Sequence, residues 1–151
     1  MSKQLISTGT MLLEENADVI TVANWTAVAI ADKLTVAVDD NSTSSSPTQG
    51  LLGVITCTTA LEAKGVGVAV GTIPAATTVG GVTTPGIGLI AMFGLARVKL
   101  TGGSAQVTAG ALYEFDDAGC CVAGTTATKI LGKCALSETT AYPLMILNIG
   151  H

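Results

Sequence analysis

The stretch Tyr113-Glu114-Phe115-Asp116-Asp117-Ala118-Gly119 places three carboxylates within four residues. It also takes one of the two tyrosines and one of the two phenylalanines in the 151-residue chain. Paired acids beside aromatic walls are the elements of a general acid–base site, in which one carboxyl gives a proton and the other acts as base or nucleophile. The spacing argues against that chemistry. Adjacent residues of a strand point to opposite faces, so Asp116 and Asp117 do not converge on one substrate atom. A second pair, Asp39-Asp40, stands in the same context, where a short alternating run stops. Asp is favoured at such turns because its carboxylate bonds nearby backbone amides. Both pairs read as turn formers.

The remaining reactive residues point the same way. The single histidine, His151, is the last residue, so no internal imidazole is available as a base at neutral pH. The glycines of Gly65-Val66-Gly67-Val68-Ala69-Val70-Gly71 lie inside an alternating strand pattern, and no Gly-Lys-Ser/Thr follows, which argues against a phosphate cradle. Cys57, Cys120, Cys121 and Cys134 show no CxxC spacing. Without histidine partners they make no zinc set, and they read as reduced, buried small hydrophobes. The sequons Asn24-Trp25-Thr26 and Asn41-Ser42-Thr43 carry little weight in a chain whose N-terminus lacks the apolar run of a signal peptide. The expectation is no catalytic residue, no cofactor and no metal.

Charge narrows the partners. Seven basic residues stand against eleven acidic ones, a net charge of −4, which leaves no basic patch for phosphates and makes nucleic acid an unexpected partner. The best membrane candidate, Ile87–Ala96, is ten residues and stops at Arg97, too short to span a bilayer, so a soluble protein is expected.

The elements that must position these residues are strands. Gly, Ala, Val and Thr dominate, which suits pleated, half-buried surfaces and tight turns. Alternation marks strands at 34–38, 51–57, 66–70, 94–100, 111–115, 130–135 and 144–149. Thr59-Ala60-Leu61-Glu62 fits a capping box closed by Gly65, predicting a short helix over 59–64, with 24–33 as a second candidate. The chain also echoes itself. Val36-Ala37-Val38-Asp39-Asp40 leads after ten residues to Leu51-Leu52-Gly53, and Tyr113–Asp117 leads after twelve to Ile130-Leu131-Gly132. The expected fold is all-β: small barrel or sandwich lobes, with an internal two-fold repeat as the favoured organisation. The expected divisions are an N-terminal arm at 1–23, a first lobe at 24–73, an uncharged Gly/Thr/Pro-rich arm or loop at 74–90, and a second lobe at 91–151, with packing of the lobes as one domain as the alternative.

From Gly65 to Ala96, 32 residues pass without a charge. A solvated linker carries charge or Ser/Gln, whereas interface cores are depleted in charge. Val79, Val82, Ile87, Leu89, Ile90, Met92 and Phe93 are therefore the candidate contacts for self-assembly or for a larger protein surface, since exposed on a monomer they would be an aggregation liability.

The C-terminal half reads GLARVKLTGG, VTAGALYEFDDAG, TKILGKCAL and PLMILNI in turn. It resembles the small phage capsid decoration, or cement, proteins of the DUF2190-like family, in which a strand enters an A-G-x-x-(V/L)-Y-x-D-x-x-G turn, an (I/L)-(I/L)-G-x-A strand follows and an apolar strand closes the domain. Ala109–Tyr113 and Ile130–Ala135 carry the match, and GLLGVITCTTALEAKGVGVAVGTI (50–73) is similar to the family's N-terminal pairing. The resemblance implies a non-enzymatic virion protein on the outer capsid surface. Its implied partners are the major capsid protein and itself, commonly as a homotrimer, with no nucleic acid and no membrane. The alternative is a head-fibre, tail or adhesin-type surface-binding β domain. A third class, a small hydrolase or isomerase on a barrel, is disfavoured by the missing histidine.

Overall fold

Period-two runs of Val, Ala, Ile and Thr set out the strands of the computed structural model, which describes residues 16–39 and 50–149. In chain order the first are β1 (Asn16–Asn24), β2 (Thr35–Val38), β3 (Leu52–Thr56) and β4 (Gly65–Val70). A short hairpin, β5 (Thr77–Val79) and β6 (Val82–Thr84), precedes the twelve-residue β7 (Gly86–Arg97). Then come β8 (Ala105–Val107), β9 (Leu112–Phe115), β10 (Cys121–Ala123), β11 (Ile130–Cys134), β12 (Glu138–Thr140) and β13 (Leu144–Asn148). The all-β architecture is as the sequence reads.

Strands β1-β3-β2-β4-β7 pair in that order, and β7 returns to β1, closing a five-stranded barrel. All these pairs are antiparallel except β1 with β3. Strand β7 is long enough to serve two structures. One edge pairs with β1 along its length, while the other pairs first with β4 and then with β13, from which a sheet continues through β11 and β9 to β10. The step in register between Asp18 and Val19, opposite Ala91–Phe93, is a bulge. It turns the strand over: Ile90 and Met92 face the barrel core, and beyond it Ala96 joins the core of the second sheet.

Two apolar cores result. Val22, Ile30, Val36, Val54, Ala69, Ile73 and Ile90 fill the barrel. The second core joins Ala37, Val68 and Ala91, on the outer wall of the same strands, to Tyr113, Phe115, Leu131, Met145 and Leu147. Neighbouring positions such as Val36 and Ala37 thus serve opposite cores, which is why these strands read as continuously apolar.

Several expectations are corrected. Residues 16–23, assigned to an N-terminal arm, form most of the strand that closes the barrel. The expected boundary at 90/91 falls inside β7, which is hydrogen-bonded to both sheets. The candidate helix at 24–33 is absent. Asn24 and Thr26 hold that segment with local hydrogen bonds, and Ile30 bridges Ile73. The turn at Thr59–Lys64 forms, but as a 3-10 helix without a side-chain cap, and Gly65 has φ −58° rather than a left-handed value. Glycine is needed there for space: a Cβ would sit 2.5 Å from the Phe115 ring. The internal repeat is not reproduced by strand order. Strand β2 lies between β3 and β4, whereas its counterpart β9 lies between β11 and β10.

Candidate functional site

The aspartate stretch is a turn, as its spacing implies. A 3-10 turn covers Asp117–Gly119, and Ala118 adopts a left-handed φ of 55°. The carboxylates bond outward rather than to their own turn: Asp116 accepts from the Thr101 hydroxyl, and Asp117 Oδ1 accepts the Thr59 amide at 3.3 Å. Each pins a different neighbouring segment, and the two do not converge. Asp39 closes onto β3 through its amide, bonded to the Gly53 carbonyl at 3.0 Å, while Asp40 and the sequon at Asn41 lie outside the described residues.

All four cysteines are free and buried. Burial, with the carboxylate of Glu62, pushes the Cys57 thiol up to about 11. Burial and the neighbouring Cys120 push Cys121 up to about 12. Such thiols are protonated and poor nucleophiles. Among the described residues no group of three His, Cys, Asp or Glu is placed to hold a metal ion. None of the helices there is long and apolar enough to cross a membrane. The charged groups near the barrel mouth are paired with one another: Arg97 with Glu138 at 2.9 Å, and Lys33 with Asp32. Burial alone would raise the Asp32 carboxyl, but Lys33 and the Gly71 amide hold it below its ordinary value. Glu62, buried under the second sheet, pairs with Lys129, whose pKa that hydrogen bond raises.

The seven apolar candidates separate into four environments. Val79 and Val82 stand at the tip of the β5–β6 hairpin, 79% and 68% exposed. Ile87 and Leu89 lie on the outer barrel wall, where Leu89 is in register with Thr21 on one side and Val70 on the other. This strip begins where the second sheet stops covering Ala91 and Val68. Phe93, beyond the bulge, lies on the open face of the second sheet with Leu95 and Ile146. Beside it is a depression of about 340 Å³ lined by Leu112, Ile130, Lys133 and Ile146. Ile90 and Met92 belong to the barrel interior: Ile90 is 0% exposed and Met92 packs partly buried against the same core, so neither is a contact surface. A strand with one face in a core must alternate, and reading the whole charge-free run as one surface overlooks that period.

The hairpin is uncharged and wholly exposed, yet its base is built with care. Asn24, fully buried, has its side-chain amide filled: Nδ2 donates to the carbonyls of Val28 (2.8 Å) and Pro74 (3.0 Å), and Oδ1 accepts from the amide and hydroxyl of Thr26. The sequon asparagine is thus a structural staple. Gly86 passes so close to Pro74 that a Cβ would lie 1.8 Å from its carbonyl oxygen, and a Cβ on Gly88 would lie 2.7 Å from the Ile73 side chain. At the tip, Gly80 and Gly81 take φ of 59° and 79°, the left-handed pair that a two-residue hairpin turn requires. Thr78 and Thr83 bond across the strands at 2.9 Å. Sequence reasoning missed this anchoring; its one signal is an Asn followed by Thr two residues on, the pattern of an Asx turn.

No family model and no curated protein matches this chain. Among solved structures its fold is similar to the head fibre gp8.5 N base of bacteriophage phi29, with a TM-score of 0.53 at 8% identity, over 89% of this chain and 100% of that one. The likeness is one of fold.

Proposed function

We propose that this chain is a structural component of a phage virion, a homo-oligomeric β module seated on the outer surface of the head through the major capsid protein. The observation that carries this reading is the fold likeness to a head-fibre N base across the whole of that solved chain. The distribution of chemistry supports it. The acids pin neighbouring segments, the thiols are buried, and the surface carries exposed uncharged apolar strips. Contacts repeated over a shell gain strength by multivalency, so a modest apolar contact on each copy is enough.

Within that reading the chain acts as a cement protein and assembles as a trimer, three times its 15.0 kDa mass. The test is addition of the purified protein to expanded heads of its own phage that lack surface proteins. Saturable binding and heads more resistant to heat or chaotrope are expected. Absence of binding overturns the proposal. The likeness to a fibre base favours one second reading, an anchoring base, which predicts binding without added resistance.

A further inference from the structure

The hairpin Thr77–Thr84 has a held base and, among the described residues, no strand paired to its outer edges. Its root is held by the buried Asn24 amide on Pro74, by the Ala76 amide on the Thr26 carbonyl (2.8 Å), and by the packing of Gly86 under Pro74. All eight residues beyond are exposed, and among the described residues the two strands pair only with each other. A lone two-stranded ribbon is marginally stable in water, and its outer edges present unpaired amides and carbonyls. A second bare surface starts at its foot, the outer barrel strip of Val70, Ile87 and Leu89. Both surfaces lie within the stretch that lacks any charge.

We infer that the hairpin of one copy lies across the Val70–Ile87–Leu89 strip of a second copy. The inference rests on the homo-oligomer reading above and names the surface that builds it. The hairpin offers no charge for a differently charged partner to match, and it is an uncharged cover for the apolar side chains of the strip, whose Val70 end alone adjoins charged groups, Asp32 and Arg97. One repeated contact therefore covers both. Arm and strip are different patches, so in the trimer read above the contact repeats head-to-tail, the type that closes into a cyclic ring when the rotation permits. Eight hairpin residues are about a third of the roughly 20–30 residues that one side of a standard interface uses. They form its apolar, charge-free centre, so their loss weakens assembly strongly.

The experiment measures the mass of the full chain against concentration by analytical ultracentrifugation, alongside head binding. The variants are a replacement of Thr78–Thr83 by a Gly-Gly turn, Val82→Lys, Leu89→Glu, and the last two combined. No hairpin residue belongs to either core, so the first two keep the wild-type melting temperature at a concentration where the chain is monomeric. Should Leu89→Glu fail to fold, Val70→Glu on the adjacent strand takes its place. Expected are a tenfold or greater loss of self-affinity in the hairpin replacement and in each single variant. Recovery is expected in the double variant, where the ammonium introduced on one arm meets the carboxylate introduced on the strip of the next copy. A hairpin-replaced protein with unchanged self-affinity overturns the inference, whether or not it still binds heads. If such a protein also loses head binding, the arm serves the capsid and the virion reading stands. A wild-type chain that is monomeric at micromolar concentration removes the homo-oligomer reading itself.

Discussion

Gly65–Val70 and Thr77–Thr84 are written in nearly the same alphabet, GVGVAV against TTVGGVTT, yet they end in opposite environments. The first is a barrel wall, with β2 on one edge and β7 on the other, Ala69 in one core and Val68 in the second. Among the described residues the second pairs only with itself, joins neither core and is exposed throughout. What separates them is pairing, which composition does not encode. Four residues after the β4 strand Pro74 removes a ladder donor, and the Gly80-Gly81 turn folds the chain back on itself before it can reach the barrel. A Val/Thr/Gly segment is core when the topology supplies two partners and arm when it supplies none.

The largest effect that tests this contrast is expected at Ile90. It lies within the uncharged stretch but inside the barrel, so Ile90→Asp removes a fully buried side chain, worth about 2–5 kcal/mol, and adds the greater cost of a buried carboxylate. The variant is expected not to fold, with loss of the β circular dichroism spectrum. A folded variant defective only in assembly would instead place Ile90 on a contact surface.

Asn24→Ala comes next. It strips partners from the Val28 and Pro74 carbonyls and from the Thr26 amide, at about 1 kcal/mol per bond, and should cost roughly 2–4 kcal/mol in chemical denaturation. Asn24→Asp should cost more, because a carboxylate would face two carbonyl oxygens. If the hairpin root did not depend on this staple, both variants would melt near the wild type.

The buried thiols give a smaller, pH-dependent term. In the folded chain Cys57 and Cys121 hold their protons up to about 11 and about 12, while the unfolded chain releases them near the ordinary thiol value of 9.0. The folded state therefore binds more protons in that interval. Stability is unaffected below it and falls as pH rises through it, by up to about 1.4 kcal/mol per pH unit for each thiol. Cys57→Ala should remove its share of that slope, read from denaturation midpoints between pH 8 and 11.

Much of the fold is legible because its signal is local. The alternation at 34–38, 66–70, 111–115, 130–135 and 144–149 matches β2, β4, β9, β11 and β13 closely. The failures have physical causes. The early part of β7 reads as arm or loop because Gly86 and Gly88 fall in the uncharged Gly/Thr/Pro-rich run at 74–90. They are strand residues whose missing Cβ lets Pro74 and Ile73 pack against them. Strand β1 reads as arm because what makes it structural is its pairing with β7, distant in sequence. Of the candidate surface, Val79, Val82, Ile87, Leu89 and Phe93 are exposed, while Ile90 and Met92 are core. A run without charge says nothing of which side each residue faces until the strand period is imposed on it.

The smallest effect sharpens the comparison most directly. Val→Thr conserves shape and replaces a methyl by a hydroxyl, so its cost reports whether the position must be dry. At Val68, 1% exposed and packed between the two sheets, the hydroxyl is withdrawn from water, and about 1–3 kcal/mol should be lost. At Val82, 68% exposed on a threonine-rich ribbon, the same hydroxyl stays solvated and Thr suits an extended strand. Stability measured at a concentration where the chain is monomeric should change by no more than about 0.5 kcal/mol. Equal losses at the two positions would mean that the hairpin is covered by its own chain, and that the contrast between wall and arm does not hold.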